Sequence, residues 1–491
     1  MSDFDTPSVD WAALSPELVL LGGATLVLLV TLFLPPGVRR GFCAVTAALS
    51  FLGAGAAAVA LFVLDESGRG IVADALRRDR LAELAQILLA GSGLLAVGAS
   101  YWEPVQHRVG EFYALLLTAV AGMAFFVAAG NLMTLFLGLE WFSIALYVLT
   151  AIGVERLPSL EAGLKYLIVG SFGSAILLLG SAFVYGATGA IQFADIAAGA
   201  GEGERLFFVA GLAMILVGLA FKASAAPFHM WTPDVYQGAP TPVTAFMSAA
   251  TKVAALVLTL RLLNTAFPQD ERLWTIALAV IVSISLAWGN LAALVQSDVK
   301  RMLAYSSVSH AGFLLMPVAA ANEFGGKALL YYLVAYAAMS VGSFAIIAAR
   351  ERELARPVTF ANLAGLGWER PFHGAAMAIF MFGFIGLPPS GLFLGKFFAF
   401  TAAYERGWTW LVVIGVLATV VSIYYYLGVV RAMYMQPPAL QVAAAGGSPP
   451  RDIALSATVA AALAVTVGSF AAAGPLLDIV GDAVSSLGFP H

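Results

Sequence analysis

Charged residues are scarce in this chain of 491 residues, where Asp, Glu, Lys and Arg make up 11%, against about a quarter in soluble domains. The formal net charge is −4, so no excess of positive charge is available to bind nucleic-acid phosphates. A single cysteine, Cys43, excludes an internal disulfide, a CxxC redox pair and an iron–sulfur cluster held by this chain alone. Phosphate-binding glycine loops and the dinucleotide-binding fingerprint are also absent. These absences argue against a soluble enzyme, a nucleic-acid binder and a protein with its own redox cofactor.

Hydrophobic sequence is what the chain has in abundance, since 61% of its residues are apolar. A helix needs about 20 apolar residues to cross the hydrocarbon core of a bilayer, and the sequence divides into about 14 such segments. Backbone polar groups in lipid must be satisfied within the protein, and the alternating pattern of barrel strands is missing. We therefore predict an all-α polytopic membrane protein with about 14 transmembrane helices.

Two apolar segments, 205–238 and 372–405, are each about 34 residues long, which is too long for one straight span. Both contain proline, at Pro227 and at Pro388 and Pro389. Proline removes a backbone donor, so these segments are predicted to be interrupted helices; a simple proline kink is the alternative. Because the two interruptions are five segments apart, they indicate two inverted five-helix repeats, helices 4–8 and 9–13. The predicted domains are residues 1–110 (helices 1–3), 111–263 (first repeat), 273–435 (second repeat) and 452–491 (helix 14 and tail).

The orientation of the chain is predicted from the basic residues between the segments. The first ten residues contain no Lys or Arg, so the first apolar segment is expected to be a retained helix instead of a cleaved signal. Lys and Arg are modestly more frequent in the loops on the side opposite the N-terminus. Both termini are therefore predicted to lie on the outer side of the membrane.

Lysine and arginine are distributed differently along the chain. Four of the six lysines fall within predicted spans, whereas the arginines lie almost entirely in loops or at segment ends. A charge at bilayer depth is expensive, and lysine can release its proton when buried whereas arginine cannot. This pattern predicts proton transport, with an ion pair between Glu140 and Lys222. The candidate proton-carrying residues are Glu140, Lys165, Lys222, Lys252, His310 and Lys396.

Structural alternatives remain open for several of these residues. Lys165 and Lys396 lie close enough to segment ends to extend toward an interface, and His310 has the alternative of a hydrogen-bonded core histidine. Asp234, in the loop-like WTPDVYQGAP, is expected to brace the turn instead of carrying protons. Lys252 lies near the middle of its segment with no carboxylate nearby in sequence, so it is the strongest candidate for the central carrier.

Longer motifs give a family resemblance. The chain resembles the antiporter-like membrane subunits of respiratory complex I and of multisubunit cation/proton antiporters in the stretch 221–252, FKASAAPFHMWTPDVYQGAPTPVTAFMSAATK. The form PDVYQGAPTP is similar to the subunit N branch of that family. Three further stretches agree with the family, and the resemblance extends from about 111 to 435. They are NLMTLFLGLEWFSIALYVL, SDVKRMLAYSSVSHAGFLL and GLPPSGLFLGKFFAF.

The resemblance implies fourteen helices in two inverted repeats and a row of buried charges near the middle of the membrane. By motif, Glu140 matches the glutamate of helix five and Lys222 the lysine of the broken helix seven. Lys252 matches the central lysine of helix eight, and Lys396 the lysine of helix twelve. The related subunit M typically has glutamate at the position of Lys396, and helix eight here lacks the histidine usual in subunits L and M, which favours the N branch.

The function implied by the resemblance is proton translocation within a redox-driven NADH:quinone oxidoreductase, a translocase of the bacterial inner membrane. It implies no cofactor in this chain, with NADH, FMN, iron–sulfur clusters and quinone bound by partner subunits. The implied partners are other membrane-arm subunits of complex I, including the antiporter-like subunit M and small membrane subunits, together with the lipid bilayer.

Three other functions are considered. A subunit of a multisubunit sodium/proton antiporter would share the broken helices and most of the lysines, and the PDVYQGAP form is the main feature against it. A purely structural membrane subunit has no use for so many buried charges. A solute transporter would need a polar cluster shaped for a ligand, whereas the sequence shows a row of single charges.

Overall fold

The computed structural model describes residues 9–64, 68–103, 108–200, 204–437 and 452–487. Nearly all of this described part is helical, as the sequence predicts. The helices of its first half are α1 (Ser15–Thr31), α2 (Pro36–Leu64), α3 (Arg80–Ser100), α4 (Val109–Val127), α5 (Leu132–Thr150), α6 (Leu157–Thr188), α7 (Phe193–Gly199), α8 (Arg205–Lys222), α9 (Thr232–Gly238) and α10 (Thr241–Ala266).

The second half continues with the same helical architecture. A short 3₁₀ turn, Pro268–Asp270, leads into its first helix. The remaining helices are α11 (Glu271–Leu294), α12 (Val299–Ala319), α13 (Glu323–Leu354), α14 (Leu366–Glu369), α15 (Pro371–Ile385), α16 (Gly391–Glu405), α17 (Thr409–Met435), α18 (Ile453–Ala471) and α19 (Ala473–Ser485).

Twelve helices in the described part are long and apolar enough to cross a membrane. They are α2 to α6, α8, α10 to α13, α17 and α18, and two further helices, α1 and α15, are apolar but shorter. The polytopic all-α class is confirmed. The count of about 14 spans stays a prediction, because α1 is only 17 residues long and α15 is one part of an interrupted segment.

The first predicted interruption separates α8 from α9. After Lys222 the chain leaves the helix, and Ser224 adopts a left-handed backbone conformation with φ +62°. The freed backbone groups find specific partners: Trp231 Nε1 donates to the Phe221 carbonyl at 3.1 Å. Helix breaks inside a membrane are tolerated where side chains satisfy the exposed backbone in this way.

The second predicted interruption separates α15 from α16. Gly386 ends α15 with φ +94°, a conformation in which a side chain is strained. The next helix starts at a side-chain cap, because Ser390 Oγ accepts a hydrogen bond from the Phe393 amide at 3.3 Å. Both long segments are therefore divided near their prolines, as the sequence predicts.

The broken segment has the same place in both of the predicted five-helix sets. In the set α4, α5, α6, α8/α9, α10 and in the set α11, α12, α13, α15/α16, α17, the fourth membrane segment is the broken one. The inversion of one set relative to the other, and the domain limits at 111–263 and 273–435, stay predictions.

α10 is the centre of the described fold. Its apolar stretch is wholly buried, and the helix packs against α13, α3 and α4. A helix that is apolar all round and buried all round is expected in the interior of a membrane bundle.

Glycine allows two other helices to approach closely. A Cβ placed on Gly180 of α6 would lie 2.7 Å from the Gly211 carbonyl of α8.

Two features near residue 79 depart from the predictions. A hairpin of two short antiparallel strands, β1 (Arg69–Ile71) and β2 (Leu76–Arg78), interrupts the helical chain. The sequence does not predict it, because three residues are too few to show the alternation of apolar and polar residues that indicates a strand. Arg261 of α10, which the sequence assigns to a segment end, is only 1% exposed and binds Asp79 with two hydrogen bonds of 2.5 and 2.6 Å. This bidentate pair fastens α10 to the beginning of α3.

Candidate functional site

Lys222, the last residue of α8, lies in a buried pocket of aromatic rings and is 2% exposed. Its Nζ donates to Ser143 Oγ at 2.7 Å and faces Tyr166 OH at 3.4 Å. The same nitrogen lies 4.5 Å from the centre of the Phe142 ring. Hydroxyl oxygens and the negative faces of aromatic rings both stabilise an ammonium group.

Glu140 lies three residues before Ser143 on α5, about one helical turn away. Its Oε1 is buried and has no hydrogen-bond partner among the described residues. The contact ion pair predicted with Lys222 is not formed, because α5 directs Ser143 toward the ammonium instead. The two charges still interact electrostatically across the pocket.

Lys252 lies on α10 and is completely buried. Its Nζ has no hydrogen-bond partner among the described residues. The structure thus places Lys252 in the interior, without a counter-ion among the described residues, which agrees with the interpretation of the sequence.

Lys396 lies on α16 and points back into the second helix break. Its Nζ donates to the carbonyls of Phe384 and Ile385 at 2.8 and 3.0 Å, which are the final carbonyls of α15. The ammonium also lies 4.4 Å from the centre of the Phe313 ring. The residue is 4% exposed, so the alternative in which it extends to an interface is wrong.

His310 lies on α12 with both ring nitrogens occupied by hydroxyl groups. Nδ1 is 2.8 Å from Tyr332 OH and Nε2 is 3.0 Å from Tyr426 OH. Because a tyrosine hydroxyl can donate or accept, these partners accommodate either tautomer of the neutral ring. His310 is also within electrostatic range of both Lys252 and Lys396.

A cluster of hydroxyl groups connects the first helix break with His310. Tyr236 OH and Ser224 Oγ are buried and have no hydrogen-bond partner among the described residues. Tyr236 OH lies near the hydroxyl groups of Ser224 and Ser307. Ser307 Oγ lies 3.0 Å from Tyr336 OH, and the Tyr336 ring lies 5.2 Å from the His310 ring, centre to centre. The signal that could have identified Tyr236 is its place in PDVYQGAPTP.

Lys165 is not part of this buried arrangement. Its side chain is 43% exposed, and its Nζ is 2.8 Å from carboxylate oxygens of both Glu161 and Asp234. Arg301 of α12 binds the other oxygen of Asp234 at 2.6 Å. Asp234 therefore joins α6 to α12 across the short helix α9, which agrees with the interpretation that it braces the turn.

A fourth buried lysine lies in the first turn of α12. Lys300 is 1% exposed, and its Nζ donates to the Ala239 carbonyl and to Thr241 Oγ1, both at 2.9 Å. Glu351 lies 3.7 Å away and accepts a hydrogen bond from Thr241. A lysine at the start of a predicted span is expected to lie in a loop, and only the structure shows that neighbouring helix ends cover it.

No group of three or more His, Cys, Asp and Glu side chains in the described part is arranged to hold a metal ion.

Comparison with known proteins assigns the chain to a family. The family described as NADH:quinone oxidoreductase/Mrp antiporter, TM, matches residues 129–422. The NADH-quinone oxidoreductase subunit N of Trichlorobacter lovleyi is 39% identical over 435 residues, which cover 88% of this chain and 88% of that protein. This chain belongs to the NADH-quinone oxidoreductase subunit N family. The resemblance drawn from the four sequence motifs is thereby confirmed.

Solved structures agree with membership of the subunit N family. A chain of the respiratory complex I from Thermus thermophilus with bound Aureothin superposes with a TM-score of 0.78 at 32% identity, covering 94% of this chain and 98% of that one. A chain of the Mrp complex from Dietzia sp. DQ12-45-1b gives a TM-score of 0.84 at 21% identity, covering 97% of both chains. The second likeness shows a shared fold alone.

Proposed function

We propose that this subunit N family member is a proton-translocating membrane subunit of an NADH:quinone oxidoreductase complex. The observation that carries the proposal is the placement of three buried lysines. Lys222 lies at the first helix break, Lys396 binds the carbonyls of the second, and Lys252 lies in the buried helix between them. Lysine can gain and lose a proton in such surroundings, which arginine cannot.

The proposed route runs along these residues near the middle of the membrane. Protons pass between Lys222, Lys252 and Lys396 through hydroxyl groups, bound water and His310. Glu140 acts on Lys222 through space, so that a change in either charge alters the stability of the other. Each protonation therefore changes the proton affinity of its neighbours, and one pKa unit corresponds to about 1.4 kcal/mol. Lys165 contributes to the ionic brace on Asp234 instead of to the route.

We extend the proposal to the setting of the subunit, supported by family membership and, for its orientation, by the basic residues between the segments. We place NADH, FMN, iron–sulfur clusters and quinone on partner subunits, so this chain takes part in the enzyme without a redox centre of its own. Its partners are other membrane-arm subunits, including the antiporter-like subunit M and small membrane subunits. The membrane is the bacterial inner membrane, with both termini on the outer side.

The second candidate function is a subunit of a sodium/proton antiporter. It is favoured by the fold shared with a chain of the Mrp complex. The relatives that share more sequence with this chain bear the subunit N name, which favours the redox-driven pump. A purely structural subunit is disfavoured by the cost of burying Lys252 without a counter-ion.

The proposal is tested on the complex purified from native membranes through a tag on this chain. We expect mass spectrometry to identify flavoprotein and iron–sulfur subunits in the complex. In sealed proteoliposomes, NADH and a quinone should drive proton uptake at a rate independent of sodium. A complex without redox subunits that exchanges sodium for protons in the absence of NADH would establish the antiporter function instead.

Replacing Tyr236 with phenylalanine tests the hydroxyl cluster, because it removes one buried oxygen and leaves the ring. We expect normal assembly and a roughly fivefold slower NADH-driven proton uptake, from the loss of about 1 kcal/mol of hydrogen bonding along the route. Tyr331→Phe is the matched control, because it removes a buried hydroxyl that binds the Ser469 carbonyl at 2.6 Å away from the cluster. Equal proton uptake by the two variants would exclude Tyr236 from the route.

A further inference from the structure

A cleft opens at one end of the helical bundle, away from the buried lysines. It has a volume of about 700 Å³ and lies between the α1–α2 turn, the end of α3 and the start of α4. Two adjacent arginines, Arg39 and Arg40, line it together with Tyr101 and Trp102. No carboxylate is among the lining residues in the described part of the chain.

The two guanidinium groups are held at the cleft by contacts other than ion pairs, as far as the described residues go. Arg39 Nε donates to the Leu34 carbonyl at 2.7 Å, and the Arg40 guanidinium lies 5.2 Å from the centre of a Trp102 ring. Neither arginine forms an ion pair with any described carboxylate, unlike Arg261 at the other end of the fold. Both lie near the N-terminus of α2, where the helix dipole disfavours positive charge. An anion bound in the cleft would compensate both effects.

Exposed apolar residues lie in the turn that leads into the cleft and in its lining. Leu32 and Phe33, which precede the arginines in the α1–α2 turn, are 73% and 87% exposed, and Trp102 is 46% exposed. Tryptophan is typical of the depth at which lipid headgroups lie, and exposed leucine and phenylalanine contact acyl chains. Basic pockets between transmembrane helices are suited to acidic headgroups.

We propose that this cleft binds one anionic phospholipid of the surrounding bilayer. Arg39 and Arg40 hold its phosphate, and Leu32 and Phe33 contact its acyl chains. A role in setting the membrane orientation of the chain would account for the charge of the two arginines. It would not account for the open cleft or for the position of Arg40 over the Trp102 ring. Inorganic phosphate has the same anionic chemistry and lacks the chains, so the two ligands are distinguishable. This inference is independent of proton transport.

The test uses the membrane complex purified through a tag on this chain, reconstituted in nanodiscs of phosphatidylcholine with phosphatidylglycerol as the probe. Native mass spectrometry counts the phosphatidylglycerol retained after mild delipidation. In the double variant Arg39→Gln/Arg40→Gln, we expect the loss of one retained phosphatidylglycerol per chain and a roughly tenfold weaker affinity for it. Arg272→Gln, which removes one exposed arginine of α11, is the control and should retain the wild-type number.

A second variant tests the cleft without changing its charge. A Cβ on Gly41 would have no atom within 4 Å, so Gly41→Phe fits on α2 and fills the cleft. It should displace the same lipid while both arginines remain. Retention equal to wild type in both variants would overturn the proposal. Displacement of the lipid by inorganic phosphate alone, at equal affinity, would overturn its lipid part.

Discussion

Replacing Lys252 with arginine is expected to leave the complex assembled and to slow NADH-driven proton uptake by roughly 10²-fold, the usual loss when a proton-transferring group is removed. Arginine keeps the positive charge in the interior but does not release its proton. Tightly coupled quinone reduction should fall with proton uptake. The measurement is both rates in sealed vesicles, with assembly checked on a native gel.

The control for Lys252→Arg must separate lost proton transfer from poor packing. α10 is wholly buried, and extra volume in a close-packed interior costs about 1–3 kcal/mol. Lys252→Met has similar length without charge, so it should assemble at least as well and be equally inactive. Lys327→Arg, which changes a partly exposed lysine paired with Glu323, should behave as wild type. If Lys252→Arg pumps normally, Lys252 is not a carrier and the route passes through His310 or Lys396 without it.

The helix breaks were predictable because their cause is local. Pro227 and Pro388 remove backbone donors in segments too long for one span, and both segments are divided beside them. The burial of Lys252 was predictable because a lysine in the middle of an apolar segment has few routes to water, whereas Lys396, nearer a segment end, was left with two alternatives. Lys165, close to a helix end, has such a route and uses it.

The partners of these groups were not predictable, because they come from distant parts of the chain. Asp79 and Arg261 are separated by 182 residues, and nothing in either local sequence indicates their pairing. His310 lies between Tyr332 and Tyr426 for the same reason. Pairing of this kind depends on which helix faces are in contact, and these helices are apolar on several faces, so periodicity carries little information.

Similar depth in the membrane was not enough to predict how Glu140 and Lys222 are arranged. Opposite charges at similar depth predicted a contact, whereas the structure gives Lys222 a hydroxyl partner, Ser143, and three aromatic rings. Depth fixes how far along the membrane normal a side chain lies but not its direction around the helix. The carboxylate is consequently left to act on the ammonium through the intervening protein.

That arrangement gives the second prediction: Glu140→Gln should assemble normally and pump protons roughly tenfold more slowly. At an effective dielectric constant of about 20, charges several ångströms apart interact by more than about 1 kcal/mol, and about 1.4 kcal/mol corresponds to a factor of ten. Glu140→Asp keeps the charge and should restore most of the rate, while Glu155→Gln, in an exposed loop, should have no effect. Proton uptake in vesicles is the measurement. A Glu140→Gln complex with wild-type uptake would show that Ser143 and the aromatic rings alone set the behaviour of Lys222.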